Sequence, residues 1–328
     1  MAVTLLGRAA ARAPAPVFAA VGGGARSRVQ DLSLRPGLTL VASPRHATVL
    51  LVAGWVPATL LDPLARVHDQ LPAPRATVWW GVGAGFPDPV TPDPVTVAPG
   101  GDVAGAVVAC HRDLVTGRRP SEGHLLPDEP PHPWRGVGPY GQGGEGMMGG
   151  TPYGRPMPMA GDDRDGLALD QLRLRVGPFF PPFPPGLALD VVLQGDVVQQ
   201  ATPVPNPFAG AGAGITDDPF ARALSGPVPL ADLEVARAGH HLRWLSAFLA
   251  LHGLPALAAR ALRLAAAASP RHRGAVRALG RLLERARSLR GATDGVGVVS
   301  GDALAGWGGG PVARAAGRPE DARAGHPA

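Results

Sequence analysis

The chain holds a single cysteine, Cys110, so neither a disulfide framework nor an all-cysteine metal or iron–sulfur site can form within it. Cys110 and His111 are neighbours in a stretch of helical period, where adjacent side chains diverge by about 100° and cannot act on one atom. A thiol buried as a small hydrophobe is the expectation. His240 and His241 diverge in the same way, and a regular helix does not aim both at one metal. Met147, Met148, Met157 and Met159 crowd one Gly/Pro-rich stretch. Thioethers ligate soft metals such as Cu(I), but with no supporting cysteine or clustered histidine an adaptable packing segment is the better reading. Two stretches, from Gly136 to Gly141 and from Gly141 to Gly146, match the dinucleotide glycine spacing. Neither follows a strand nor opens a helix, so no backbone amides converge on a pyrophosphate there. Asp162-Asp163-Arg164-Asp165-Gly166 lacks the alternate carboxylates and closing Glu of a calcium loop, and reads as a solvated turn.

Glycine and proline make up about a quarter of the 328 residues, yet 45% of the chain is hydrophobic, so the breakers must be concentrated. They cluster between Pro127 and Pro158. Around that stretch the spacing predicts a flexible arm over 1–30 with at most one short helix, an α/β domain over 31–117, a linker over 118–165, a hairpin-plus-helix region over 166–290, and a disordered tail over 291–328. Thr48 to Ala53 is a continuous apolar run closed by Gly54, as expected of a strand buried on both faces. Pro57 to Gln70 carries Leu60, Leu61, Leu64 and Val67 at helical spacing, and a second strand runs from Ala76 to Trp80; together these make a βαβ unit. A short strand over 95–97 precedes Asp102, the expected N-cap of a helix reaching Leu114. Leu167 to Val176 and Leu187 to Val198 read as two strands joined by a loop of prolines with Phe179, Phe180 and Phe183. Residues 202–226 read as loop, and Leu230 to Leu289 as three helices broken near Pro255 and Pro270.

Every positive side chain other than histidine is arginine, and the net charge is +5. Arg271, Arg273, Arg277, Arg281, Arg285, Arg287 and Arg290 oppose only Glu284, with Leu279, Leu282, Leu283, Ala286 and Leu289 on the other side, the pattern of a basic amphipathic helix. Such a helix packs on its own bundle with a solvated Arg face, or docks on an acidic subunit, an anionic membrane surface or nucleic acid. No aromatic interleaving favours nucleic acid. The N-terminal apolar run is too short and broken for a signal peptide, and no window of about eighteen apolar residues occurs, so a soluble or membrane-peripheral protein is expected.

Ser43-Pro-Arg45 before the first strand, and Asp69-Gln-Leu-Pro72-Ala-Pro74-Arg75 after its helix, resemble the B subunit of respiratory complex I (NADH:quinone oxidoreductase) and its NiFe-hydrogenase relatives over residues 32 to 116. The resemblance implies a flavodoxin-like α/β fold and a four-iron cluster that passes electrons to quinone. The family's cysteine ligands are missing: Leu34 to Val41 has none, and Gly83 and Gly101 stand at the other two ligand positions. Residues 175 to 255 resemble the N-terminal part of the partnering D subunit, through Gly177-Pro178, Gly186-Leu187, Leu193-Gln-Gly195-Asp196-Val197-Val198 and Glu234-x-x-Arg237-x-x-x-His241-Leu-x-Trp244. Where that subunit's hairpin loop carries two histidines, one of which faces the quinone headgroup, this chain has Phe180 and Pro184.

The resemblance therefore implies a fusion of the two partners that binds no cofactor by itself, the 4Fe–4S cluster and quinone being family properties only. An accessory, non-catalytic subunit of a complex I-like or hydrogenase-like assembly is the leading expectation, cytoplasmic or peripheral on the cytoplasmic face of the membrane. Arg45, Arg75, Glu234, Arg237 and His241 are its expected interface or structural residues. A redox subunit covering a quinone with the Phe179, Phe180 and Phe183 loop is the second reading, and a basic adaptor for nucleic acid or anionic membrane is the third.

Overall fold

The structure, a computed structural model, describes residues 7, 10–81, 91, 93–126, 159–162, 168–208, 219–223 and 226–296. Its first part is a five-stranded, wholly parallel sheet in the order β2-β1-β3-β4-β5, formed by β1 (Ala15–Val21), β2 (Leu38–Leu40), β3 (Val49–Ala53), β4 (Ala76–Trp80) and β5 (Val95–Val97). Every residue of β3 and β4 is buried, as continuous apolar runs in a doubly covered parallel sheet must be. Val17, Val49, Leu51 and Val78 face α1 (Arg26–Leu32) and α3 (Val103–Val115), while Phe18, Leu50, Val52 and Trp79 face α2 (Leu61–Asp69). Helices therefore cover both sides, an α/β arrangement. Asp102 caps α3 as expected, its carboxylate accepting from the Gly105 N–H at 3.0 Å.

The expected arm over 1–30 is corrected by β1, an interior strand that pairs with both β2 and β3. Pro16 argues against a strand by lacking an N–H, yet its carbonyl still accepts from Thr48 at 3.0 Å. The connection from β2 to β3 holds only a 3-10 turn, Pro44–His46, where parallel strands ordinarily take a helix. That leaves the α2 side of β1 with a thin cover.

The expected linker over 118–165 is corrected at both ends. Residues 118–126 are clasped beneath β4, and Met159–Asp162 forms strand β6. Glu122, 6% exposed, accepts from the Thr77 N–H (2.8 Å) and hydroxyl (2.7 Å) and lies 3.1 Å from His68 Nε2. Burial pulls the Glu122 carboxyl upward, but the hydrogen bonds from His68 and Thr77 outweigh it and hold the group below the usual carboxylate range. Asp69 accepts from the Leu125 and Leu126 N–H groups and lies 2.8 Å from His68 Nδ1; these bonds likewise outweigh its burial and keep its value low.

The second sheet is antiparallel, in the order β6-β7-β8-β9, with β7 (Ala168–Val176), β8 (Ala188–Gln194) and β9 (Val197–Val204). The single strand expected over 187–198 is thus two, because Gly195-Asp196 forms a two-residue hairpin turn. The expected simple hairpin becomes four strands, and the loop expected over 202–226 gives up its start to β9 and residues 219–223 to α4 (Pro219–Ala223). Next come α5 (Leu230–Leu251), α6 (Pro255–Ala266), α7 (Arg273–Glu284) and α8 (Arg287–Thr293), breaking near Pro255 and Pro270 as expected. Leu242, Leu249, Ala258, Ala261, Ala265 and Leu279 form their core, and the Ser246 hydroxyl donates to the Ala258 carbonyl at 2.8 Å. The basic helix is divided at Arg285–Ala286, and Leu282, expected on its packed face, is 41% exposed.

Candidate functional site

The loop between β7 and β8 spans Gly177 to Gly186, and both glycines have positive φ, +97° and +80°. A Cβ at Gly177 would lie 2.3 Å from the Leu187 carbonyl oxygen, and one at Gly186 2.3 Å from Asn206 Oδ1, so only glycine closes the loop at either end. Five prolines between them stiffen its course. The loop lies against the thinly covered side of β1, and Phe179, 7% exposed, completes the core that Phe18, Leu50 and Leu64 form there.

The three phenylalanines that the sequence groups together are divided in space. Phe179 is core, whereas Phe180, 41% exposed, borders an open cleft of about 300 Å³ between the loop and the α/β sheet. Phe18, Pro44, Val67, Gln70 and Arg175 line the same cleft. Phe183 packs edge-to-face on Phe180, ring centroids 5.0 Å apart, and borders a second cavity on the other side of the loop. In the first cleft the walls are largely apolar and the polar groups are few. The Gln70 amide donates to the Arg66 carbonyl at 3.2 Å, and the Arg175 guanidinium grips Asp190 through two bonds of 2.7 and 2.9 Å. That pair raises the Arg175 value and lowers that of Asp190. Such walls hold an apolar ring or chain; no nucleophile with an adjacent base lies among these residues.

The other expected site residues are dispersed. Arg75 is buried, its Nη1 donating to the Leu71 carbonyl at 2.6 Å and its Nε to the Glu122 carbonyl at 3.2 Å, so it ties the end of α2 to the clasped 118–126 segment. Arg45 is exposed, and its backbone N–H donates to the Ser43 hydroxyl at 3.3 Å. Glu234 and Arg237 pair at 3.3 Å on the exposed side of α5. His241, one helical turn further on, is exposed and stands outside the Glu234–Arg237 pair. Trp244 of the same motif is 60% exposed and stacks on Phe248 at 5.1 Å. Gly83, the methionines Met147, Met148 and Met157, both glycine-rich matches and Asp163 to Gly166 lie outside the described residues.

With one cysteine, the chain does not by itself supply the four thiolates of a four-iron cluster. At Gly101 a Cβ would lie 2.8 Å from Val97 Cγ1 and 3.3 Å from the Ala98 carbonyl, so a Val97 methyl fills the space a ligand side chain would enter. Residues 34–41 supply no thiol, and Cys110 packs inside the α1/α3 core, where burial pushes its thiol up to about 11. Among the described residues no three His, Cys, Asp or Glu side chains converge as a metal site. The crevice at the β1/β3 switch point, where open α/β sheets usually take ligands, is closed by backbone pairing between Gly23 and Trp55 at 2.7 and 3.1 Å. Among the described residues no helix is long and apolar enough to cross a membrane.

Glu122 and His68 are not among the expected residues, and Asp69 is expected only as part of the Asp69-to-Arg75 motif. Glu122 lies in the Pro/Gly-rich region and its partners are 45 and 54 residues away, so no local spacing announces it. Arg75, singled out by resemblance alone, is the one expected residue bonded to the Glu122 segment.

A scan of protein-family models finds none that matches the chain, and a search of curated proteins finds no relative.

Proposed function

We propose that this chain is an accessory, non-catalytic component of an assembly resembling respiratory complex I or a hydrogenase, keeping the docking surfaces of a B-like and a D-like subunit without a cluster of its own. The observation that carries this reading is the seating of the D-like hairpin loop on the B-like sheet, with Phe179 inside the latter's core. Two segments that resemble two separate, mutually packed subunits here pack on each other within one chain. The strand order β2-β1-β3-β4-β5 supports reading the parallel sheet as flavodoxin-like. The Val97 methyl beside Gly101 supports the loss of the cluster. The test is affinity purification of the tagged, full-length chain from its native cells under anaerobic conditions, with iron analysis. The expected result is co-purification of respiratory or hydrogenase-type subunits, with no iron attributable to the isolated chain. Recovery without any such subunit overturns the reading, and stoichiometric iron in the isolated chain overturns the loss of the cluster.

A second reading gives the chain a share in quinone binding, and the cleft between Phe180 and Gln70 favours it. Its apolar walls suit a ring and isoprenoid tail, and Gln70 and Arg175 supply the polar groups that the phenylalanine loop alone lacks. Photolabelling of the assembled complex with a quinone analogue is expected to mark residues 175–181; absence of label there removes this reading.

A further inference from the structure

On the opposite side of the phenylalanine loop, a cavity of about 170 Å³ lies where the edge of the parallel sheet, α1, the loop and α5 meet. Its walls include Val29, Leu40 and Phe183, and Ala247 contributes a wall from α5. Three polar residues also line it: Arg26 and Gln30, at i and i+4 on one face of α1, and Ser33, the C-cap of that helix. Two of these are already engaged. The Gln30 amide donates to the Arg243 carbonyl at 3.4 Å, and the Ser33 hydroxyl donates to the Gln30 carbonyl at 2.6 Å.

Arg26 is different. It is half-buried, the only force moving its value is burial, which lowers it, and no carboxylate among the described residues forms an ion pair with it. Withdrawing a guanidinium from water toward apolar walls without a counter-charge is unfavourable, and a carboxylate brought by a ligand would reverse that through a charge-assisted, two-pronged bond. Elsewhere the chain meets such a need internally: Arg243, 16% exposed, holds Asp31 at 2.6 and 2.9 Å. Asp31, the carboxylate on α1 itself, is taken by Arg243.

We propose that this cavity is a binding site for a small apolar monocarboxylate, its carboxylate paired with Arg26 and its ring or short chain lying against Val29, Leu40 and Phe183. Size sets the class. A dry cavity of about 150 Å³ accepts one benzene molecule, so about 170 Å³ accepts one ring or a chain of about five or six carbons, and nothing as large as a dinucleotide. The site is separate from the Phe180 cleft, and the proposal does not rest on the accessory-subunit reading, which stands or falls by its own co-purification.

The test is titration of the full-length chain with sodium benzoate and sodium hexanoate at constant ionic strength, followed by thermal unfolding and calorimetry, with benzyl alcohol as the uncharged match. Both carboxylates are expected to raise Tm with saturation, and benzyl alcohol to do so at least tenfold more weakly. Arg26→Gln is expected to lower benzoate affinity at least tenfold. Ala247→Phe, which fills the cavity from α5 and leaves Arg26 in place, is expected to abolish binding while the circular dichroism spectrum is kept. Equal binding of benzoate and benzyl alcohol, undiminished binding by either variant, or no saturable effect at millimolar benzoate overturns the proposal.

Discussion

In the parallel sheet every residue of β3 and β4 is buried, while in the antiparallel sheet β9 buries none of its eight and β7 leaves Leu169 and Leu172 42% and 50% exposed. The first sheet has helices on both faces; the second leaves apolar side chains in solvent. The same contrast holds among the helices. Leu64 of α2 and Val107 of α3 are fully enclosed, whereas α5 displays Trp244 and Leu251 at 60% and 62% exposure. Exposed apolar groups of this size are what interaction surfaces present. The α/β half is enclosed, with Phe179 of the hairpin loop completing its cover, and the C-terminal half leaves more of its apolar surface outward.

The enclosed half is the more sensitive to substitution. Glu122→Ala leaves His68 and the Thr77 N–H facing an empty buried site, and should destabilise the chain by about 3–5 kcal/mol in urea unfolding, the cost of stripping one partner from a buried charged network. A loss under about 1 kcal/mol would show that the 118–126 clasp contributes little. Phe179→Ala removes the side chain that the two halves share and should cost about 3 kcal/mol or more, whereas Phe180→Ala, at a half-exposed ring, should cost under about 1 kcal/mol. Equal effects would mean that the loop does not use Phe179 as its anchor.

Acid should act through the clasp. Glu122 and Asp69 are held below their usual range in the folded chain, so their contribution is complete above about pH 4.5, where the unfolded carboxylates are ionised. It is lost as pH falls through the lower folded values, and unfolding monitored between about pH 5 and 2 should show that loss shrink in Glu122→Gln. Arg243→Ala, at the partly exposed pair with Asp31, should cost about 1 kcal/mol or less. Trp244→Ala should be smallest in the isolated chain, within about 0.5 kcal/mol, yet should reduce recovery of partners in co-purification.

What was legible in the sequence followed the same division. The buried strands β3 and β4, the short β5 and the Asp102-capped α3 stand within a residue of where apolar runs and spacing put them, because a strand covered on both faces writes its burial into consecutive residues. The interior strand β1 was hidden by Pro14, Pro16 and small alanines: its place depends on pairing with strands about 23 and 32 residues on, not on local preference. The Gly195-Asp196 turn carried a usable two-residue hairpin signal that the alternation across it obscured. At the site, Arg45 and Arg75 looked alike in sequence, but one is exposed and the other buried, and only the fold distinguishes them. The clasp around Glu122 was illegible because Thr77, His68 and Asp69 recognise it across chain distances that no motif spans.

Phe179 belongs by sequence to the outward-facing half and by burial to the closed one. Melting either half must therefore withdraw or expose the same ring, which couples the two in one cooperative unit. A scanning calorimeter should record one endotherm whose van 't Hoff and calorimetric enthalpies agree, rather than two successive transitions. Shortening this side chain should separate that endotherm into two.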